Sequence, residues 1–171
     1  VGDAYIAGQA EQPLTITHSP IAVVLFGLAM VNETREWAQD LKEQVTCRVG
    51  VHHGACLGGV VGTEMQRYHL FGALMSGVEI LESTAPEGGV QVSYACKEAA
   101  RRALILERKS EDFLLFAERK EKSLSTSKGE VHSYDEVGGR TFVVSAEDEC
   151  AVLHAKSIRT PMSFGLPEIE A

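Results

Sequence analysis

The sequence lacks any long hydrophobic run, which excludes a transmembrane helix. Its longest strongly apolar stretch, Ile21–Val31, has 11 residues, whereas a helix that spans a bilayer needs about 20. The chain also starts without an initiator Met, a basic segment or an apolar leader, so we expect a fragment of a longer protein. We expect this fragment to be a cytoplasmic domain without membrane contact, whether its parent protein is membrane-bound or not.

Cysteine is scarce, and its spacing excludes the usual thiol-based scaffolds. The four cysteines form no C-x-x-C pair and are too few for a disulfide-rich domain; they are Cys47, Cys56, Cys96 and Cys150. Sparse thiols of this kind fit a reducing compartment, which again favours the cytoplasm.

Basic residues are fewer than acidic ones, and this balance argues against nucleic acid as a partner. Sixteen Lys and Arg stand against 24 Asp and Glu, so the formal net charge is −8. An acidic surface does not attract a phosphate backbone over a wide area. A phosphate-bearing ligand therefore has to be held locally, by a metal ion or by a few placed cations. At 171 residues the chain has room for one domain.

Hydrophobic periodicity predicts alternating helices and strands. Ser19 and Pro20 are typical of a helix start, and apolar residues at helical spacing extend that helix over about 20–43. Residues 45–51 alternate apolar and polar side chains, as a half-buried strand does. A second β-prone run at 56–62 is close enough to pair with it as a hairpin.

The second half of the chain continues the same alternation. The predicted elements are a helix over 73–83, a strand over 90–92, a helix capped by Ser93 over about 95–102, and strands over 113–116 and 130–137. Leu74, Val78 and Leu81 form the core stripe of the first of these helices. We interpret the charged run 118–122 as a solvent-exposed connection between the last two predicted strands. The order predicts an α/β domain with helices packed against a mixed sheet over residues 1–145, followed by an extension or linker over 146–171.

A short acidic motif near the start is the first candidate for chemistry. In Gly2-Asp3-Ala4-Tyr5 the carboxylate of Asp3 sits at a tight turn, where it can meet a divalent cation. A plain Gly-Asp turn explains the same four residues equally well.

Five motifs together resemble the catalytic domain of class III nucleotide cyclases. In order they are Gly2-Asp3-Ala4-Tyr5, Arg48-Val49-Gly50-Val51-His52-His53-Gly54, Gly59-Val60-Val61-Gly62, Arg67-Tyr68-His69-Leu70-Phe71-Gly72 and Leu81-Glu82-Ser83. Their spacing is similar to that of the family over residues 1 to about 100, and Ser127–Tyr134 extends the similarity. The resemblance implies a ferredoxin-like mixed sheet packed by helices, with α+β character.

The resemblance also implies a reaction and its cofactors. Members of the family convert a nucleoside triphosphate to a 3′,5′-cyclic nucleotide and pyrophosphate, using two Mg²⁺ or Mn²⁺ ions held by two Asp residues. The later of these carries over to Asp3 as catalytic and metal-binding residue, and the earlier one belongs upstream of Val1. Family members work as dimers with the site at the interface. The expected partner is a second cyclase domain in a hetero- or pseudo-heterodimer, with a homodimer as the alternative.

Three positions depart from the family pattern. Where related domains carry an Asn and an Arg that grip ribose and phosphate, this chain has Ser76 and Ile80, and Thr126 replaces a family lysine. These replacements imply that the chain forms one side of an interface site. It offers the metal-binding carboxylates but lacks the side chains that bind ribose and phosphate. Ile80 lies opposite the core stripe, so it is either covered by a partner or is an isolated apolar surface residue.

Two residues carry over as substrate-binding positions. His69 falls where the family reads the base edge, although guanylate cyclases often have Cys there and adenylate cyclases often have Asp. Lys128 matches a lysine that contacts phosphate. Leu70-Phe71-Gly72 is closer to the guanylate branch, so the resemblance favours GTP over ATP.

Other interpretations stay open beside the cyclase half. The presence of Ser76 and Ile80 in place of Asn and Arg also fits a catalytically silent domain that dimerises with an active partner and regulates it. We interpret His52 and His53 as structural, because neighbours on a strand point to opposite faces and do not easily share one ion. With the preceding strand absent, Ala4–Gln9 is expected to form an exposed strand edge.

Overall fold

The fold is one mixed sheet with helices on both faces and two small hairpins beside it. The computed structural model describes residues 4–9 and 19–146. The helices are α1 (Pro20–Leu41), α2 (Ala73–Ser83) and α3 (Tyr94–Leu106). The strands are β1 (Val49–Val51), β2 (Leu57–Val61), β3 (Arg67–Phe71), β4 (Val90–Ser93), β5 (Leu114–Glu118), β6 (Leu124–Ser125), β7 (Val131–His132) and β8 (Thr141–Ala146). Short 3₁₀ helices cover Glu111–Phe113 and Tyr134–Val137.

The central sheet has the strand order β1-β4-β8-β5. Strand β1 runs parallel to β4, with Val51 opposite Val92, and β8 lies antiparallel to both β4 and β5. The prediction of a mixed α/β sheet is confirmed.

The predicted hairpin between residues 45–51 and 56–62 is wrong. Strand β2 pairs with β3 instead, through a turn in which Gly62 has a φ of 116°. Strand β1 pairs with β4 because Val51 and Val92 then enter the same core. The side chains of β2 are mostly exposed, so burial favours the non-local pairing.

Several predicted strand boundaries also need correction. No regular structure covers residues 45–48, and the strand predicted over 130–137 is reduced to β7 followed by a 3₁₀ helix. The sequence analysis missed β3, β6 and β8. Strand β8 lies inside the sheet with Thr141, Phe142 and Val144 buried, so its sequence lacks the alternation of a half-exposed strand.

The segment Ala4–Gln9 is exposed and forms no strand, which contradicts the expected strand edge. One of its side chains contacts α1: the Tyr5 hydroxyl donates a hydrogen bond to the sulfur of Met30 at 2.8 Å. The predicted C-terminal extension falls almost wholly outside the described residues.

Capping residues set two helix starts, as the sequence predicted. Ser19 Oγ accepts a hydrogen bond from the Ile21 amide at 3.1 Å, with Pro20 in the first turn of α1. Ser93 Oγ accepts from the Cys96 amide at 3.2 Å and starts α3. The same serine ends β4, so strand and helix join without a loop.

Close packing brings a helix onto each face of the sheet. On one face α1 and α3 cover the main core, and Gly27 lets α1 approach: a Cβ there would lie 3.1 Å from Val49 Cγ1. On the other face Gly50 lies against the backbone of α2, where a Cβ would be 2.8 Å from the Val78 carbonyl oxygen. A smaller cluster on this second face contains buried Leu81, Leu124 and Val137.

The charged run at 118–122 is only partly a solvated connection, because Arg119 turns inward. Its Nη1 donates to the Thr84 carbonyl oxygen at 2.6 Å and to Oε1 of Gln91, which is fully buried. Glu121 pairs with the outer side of the guanidinium at 3.0 Å, and the hydrogen bond from Arg119 lowers the pKa of that carboxyl. The arginine thereby satisfies a buried acceptor beneath the sheet edge.

Replacing Gly50 by Ala tests the contact between β1 and α2. The added Cβ meets backbone that has no rotamer with which to yield, so we expect the free energy of unfolding to fall by about 3 kcal/mol. Urea titration measures the loss. Gly59→Ala is the matched control, since nothing lies within 4 Å of its Cβ position; equal losses at both glycines would contradict the close packing.

Arg119→Met tests the inward hydrogen bonds. The change leaves Gln91 Oε1 and the Thr84 carbonyl without their donor, and we expect a loss of about 3 kcal/mol in the free energy of unfolding. The neighbouring exposed Lys120 provides the control Lys120→Met, for which we expect a change within about 0.5 kcal/mol. Both are measured by denaturant titration, and a harmless Arg119→Met would refute a buried role.

Candidate functional site

The predicted base-reading residue lies on an exposed hairpin. His69 is in β3 opposite Gly59 of β2, and its ring stacks on that of Phe71 with the centroids 5.9 Å apart. Apolar side chains on this hairpin face solvent, with Leu57 72% and Tyr68 68% exposed. The β2–β3 hairpin therefore offers an apolar surface that the described residues leave uncovered.

Helix α2 presents the two positions that depart from the family pattern. Ser76 is exposed, and Ile80, one turn later, is half-buried. Ile80 packs with Tyr134 against the cluster of Leu81, Leu124 and Val137. Part of its apolar surface is thus covered within the chain, and the rest stays exposed.

The predicted phosphate-contacting residue lies at the tip of the β6–β7 hairpin. Lys128 is exposed there and follows Thr126 and Ser127. The turn is closed by hydrogen bonds from the Gly129 amide to the Thr126 carbonyl and from the Glu130 amide to Thr126 Oγ1, each 3.0 Å long. The residue that replaces a family lysine, Thr126, therefore serves the turn itself.

Arg48 connects this turn to α2. Its Nε lies 3.4 Å from Oε1 of Glu82 in the last part of α2, and its Nη1 donates to Ser127 Oγ at 3.3 Å. The β6–β7 turn and α2 are therefore brought together by one guanidinium. In contrast, the described residues show no hydrogen bond or ion pair between His69 and either of these elements.

Tyr134, which packs near α2, has a shifted pKa. Tyr134 has a hydroxyl that is buried and has no hydrogen-bond partner among the described residues, and burial raises its pKa. Sequence reasoning placed Tyr134 inside the strand predicted over 130–137, and no local pattern indicates that it packs against the same buried cluster as Ile80.

His52 lies on the other side of α2. Its Nδ1 is 2.8 Å from Ser93 Oγ, and its ring packs so closely on Gly77 that a Cβ there would be 2.9 Å from Nε2. Burial, together with the charge of His53, lowers the pKa of His52. His52 thus lies between the end of β1, α2 and the start of α3, which agrees with its interpretation as a structural residue.

The predicted metal-binding residue, Asp3, lies outside the described residues. Within residues 4–9 and 19–146 there is no group of three or more His, Cys, Asp or Glu side chains placed to hold a metal ion. His52 and His53 follow β1 and do not belong to such a group. The described residues alone therefore do not form a metal centre.

The clearest concavity lies away from these residues. A cavity of about 300 Å³ is bounded by the last turns of α1, the segment before β1, and Gly88. It contains none of the residues predicted to bind substrate. No helix in the described part of the chain is both long and apolar enough to cross a membrane.

Comparison with known sequences identifies related catalytic domains. The family described as the adenylate and guanylate cyclase catalytic domain matches residues 1–134. Guanylate cyclase soluble subunit alpha-1 of Bos taurus is 31% identical over 93 residues, which are 54% of this chain and 13% of the relative. Guanylate cyclase 32E of Drosophila melanogaster is 43% identical over 97 residues, 56% of this chain and 8% of the relative. The chain thus spans only a small part of these relatives.

Comparison with solved structures gives the same architecture. The guanylate cyclase domain of RhGC from Catenaria anguillulae, solved in complex with GTP, has a TM-score of 0.52 at 18% identity and covers 81% of this chain and 65% of its own. The adenylyl cyclase CyaB from P. aeruginosa has a TM-score of 0.53 at 18% identity and covers 80% of this chain and 64% of its own. At this identity the likeness shows a shared fold.

The environment of His52 predicts a pH dependence of stability. Because burial holds the folded pKa of His52 below the usual histidine value of about 6.5, the unfolded chain binds more protons between the two values. The stabilisation is present above about pH 6.5 and is lost as the pH falls through the folded pKa. We expect His52→Gln to flatten the curve of unfolding free energy against pH between 7 and 5, measured by urea titration. The exposed His69 supplies the control His69→Gln, which should keep the wild-type slope; an unchanged slope in His52→Gln would contradict the assignment.

Proposed function

Because the chain belongs to the adenylate and guanylate cyclase catalytic domain family, we propose that it is one half of a nucleotide cyclase site. In this proposal it supplies the metal-binding carboxylate, and a second cyclase domain supplies the groups that grip ribose and phosphate. The observation that carries the proposal is the face of α2, where Ser76 and Ile80 stand in place of Asn and Arg.

The reaction sets the demands on each half. The ribose 3′-oxygen bonds to the α-phosphorus, the bond from that phosphorus to the bridging oxygen breaks, and pyrophosphate leaves while the 3′-hydroxyl proton passes to solvent. Mg²⁺ or Mn²⁺, as two ions in a complete site, supplies stabilisation of the attacking and leaving oxygens when bound. In the proposal Asp3 holds metal together with a second carboxylate that the family places upstream.

Ile80 supports a one-sided site on chemical grounds. An arginine donates to developing phosphate charge, and in related phosphoryl transfer such a group contributes roughly 10³–10⁵ in rate. Isoleucine has no donor, and here its side chain packs against the cluster of Leu81, Leu124 and Val137. A site that relied on this face would lose that contribution, so catalysis needs a site completed by the partner's α2 equivalent.

The β2–β3 hairpin supports a partner domain. Its exposed apolar side chains include Leu57, Val60, Met65 and Tyr68, and a two-stranded hairpin gains stability from packing on a further surface. One of the relatives is named a subunit, which fits assembly with another chain. We propose a hetero- or pseudo-heterodimer as the working form, with a homodimer as the alternative.

GTP is the proposed substrate in preference to ATP. Both relatives described above are named guanylate cyclases, and Leu70-Phe71-Gly72 resembles the guanylate branch. His69 would face the base from the hairpin, where its exposed ring carries a donor and an acceptor. Lys128, exposed at its turn, matches a family lysine that contacts phosphate; in the one-sided half proposed here, the phosphate grips of the working site come from the second domain.

A catalytically silent regulatory domain is the second candidate function. The packing of Ile80 against the cluster of Leu81, Leu124 and Val137 favours it, because that contact gives the substituted position a structural purpose. Thr126, which closes the β6–β7 turn, favours it for the same reason. This domain would bind an active cyclase partner through the same hairpin and alter the partner's rate.

Reconstitution separates the two functions. We expect the natural protein containing this chain to make cyclic nucleotide only when mixed with a complementary cyclase domain, given GTP or ATP with Mg²⁺. Asp3→Asn should lower the rate about 10³-fold, since the metal stabilises transition-state charge by several kcal/mol. Glu111→Gln, an exposed carboxylate on the first 3₁₀ helix, is the matched control and should leave the rate unchanged.

Each outcome decides between the candidates. Cyclase activity in the mixture that depends on Asp3 supports the catalytic half, and the preferred nucleotide identifies the base. A folded mixture that binds its partner but shows no dependence on Asp3 refutes the catalytic half and favours the regulatory domain.

A further inference from the structure

We propose that segment 147–153, which directly follows β8, docks on the outer face of α3 near the end of that helix. The surface that receives it consists of Arg102, Ile105, Leu106 and Arg108, and we call it the α3 end surface. The occupant is thus a part of the same chain. The inference does not rest on the proposed function, because it concerns only how the chain continues after the central sheet.

The apolar part of the α3 end surface is open to solvent. Ile105 is 69% exposed and Leu106 is 76% exposed. They lie on the side of α3 away from the core, because Ala100, Ala103 and Leu104 fill its buried side. Two neighbouring aliphatic side chains at this exposure gain free energy when another apolar group covers them.

Two arginines flank this apolar pair. Arg102 lies one helical turn before Leu106 and shares its face of α3, and Arg108 follows the last turn with a φ of 54°. Both side chains are exposed, and neither forms an ion pair with a carboxylate of residues 4–9 or 19–146. The α3 end surface is therefore apolar at its centre and basic at both ends, in a chain whose formal net charge is −8.

The segment after β8 has the complementary pattern. It begins with three carboxylates and continues with four apolar residues, in the order Glu147-Asp148-Glu149-Cys150-Ala151-Val152-Leu153. The carboxylates can pair with the two arginines while the apolar run covers Ile105 and Leu106. Complementary charge of this kind fixes which surface a segment chooses, and burial of the apolar run supplies the driving force.

The end of β8 places the segment beside this surface. Ala146 pairs with Leu114 of β5 and packs against the main core, which contains Leu104 of α3. The Lys109 amide bonds to the Leu104 carbonyl oxygen at 3.0 Å, so the chain turns back at the end of α3 and reaches Leu114 five residues later. Seven extended residues span about 23 Å, whereas α3, with 13 residues, is about 20 Å long. The segment therefore reaches the whole α3 end surface while the sheet stays as it is.

Docking at this place has a consequence for the path of the chain. Helix α3 covers the main core on one face of the sheet, and α2 lies on the other face. A segment held on α3 directs the residues that follow it away from α2. The face that carries Ser76 and Ile80 then stays open to another domain.

Amide hydrogen exchange in the natural protein that contains this chain tests the docking. In peptides covering 147–153, read by mass spectrometry, exchange should be about tenfold slower than in a synthetic peptide of the same residues. Arg102→Glu combined with Arg108→Glu reverses the charge of the surface and should bring exchange to within about twofold of the peptide. Exchange as fast as that of the peptide in the unchanged protein, or protection that persists in this double variant, overturns the docking.

The matched control makes the same change in net charge away from α3. Arg67→Glu combined with Lys122→Glu alters two exposed cations on other elements and should keep the full protection. All of these side chains are exposed, so the thermal midpoints should stay within about 3 °C of the unchanged protein. If the midpoint of Arg102→Glu with Arg108→Glu falls further, Arg102→Gln with Arg108→Gln takes its place, and protection that persists there overturns the docking.

A charge swap tests the pairing itself. Glu147→Arg with Glu149→Arg should remove the protection when introduced alone. In the Arg102→Glu and Arg108→Glu background the same two changes should restore at least about threefold protection, because opposite charges meet again with their signs exchanged. Failure of the swap to restore any protection overturns the assigned pairing.

The alternative occupant of the α3 end surface is a second copy of this chain. Docking within one chain gives the same protection at protein concentrations of about 2 and 50 μM, whereas a contact between copies depends on concentration. Equal protection at both concentrations supports the proposal. Protection that disappears on dilution overturns it and assigns the surface to self-association.

Discussion

The contact between Gly50 and the backbone of α2 is the constraint on which the α2 side of this fold depends. With no side chain at residue 50, β1 and α2 approach until strand and helix backbones touch. This close approach determines how far α2, with Ser76 and Ile80, lies from the sheet. It also places Glu82 within reach of Arg48, and so determines where the β6–β7 turn is tied.

Two further interactions hold α2 from its sides. His52 packs on Gly77 and bonds to Ser93, which caps α3, so the helix on one face of the sheet is linked to the helix on the other. At the far end Thr84, just after α2, bonds to Gln91 and accepts from Arg119. The three contacts come from separate segments of the chain. They hold α2 in a fixed position on the sheet.

The sequence predicted those parts of the fold that local chemistry determines. Ser19 with Pro20, and Ser93, gave correct helix starts because a capping side chain acts within a few residues of itself. The pairing of β1 with β4 and the place of β8 were missed, since burial in a shared core is decided by residues that are distant in sequence. The inward turn of Arg119 was missed for the same reason: only the fold brings the buried acceptor of Gln91 beside it. At the candidate site the sequence indicated Ser76, Ile80, His69 and Lys128 through resemblance. The packing of Ile80 and Tyr134 against one buried cluster, and the double contact of Arg48, required three dimensions.

The β2–β3 hairpin carries a consequence for how the chain evolves. In an isolated domain the exposed Leu57 and Tyr68 lower solubility, and their substitution by Lys or Glu during evolution would raise it. Any assembly that buries the hairpin opposes that drift, because a charge introduced there would have to be desolvated. Selection for solubility and selection for association thus act on the same few side chains in opposite directions. A cell that makes this chain in excess over any chain that buries the hairpin meets the first pressure without the benefit of the second.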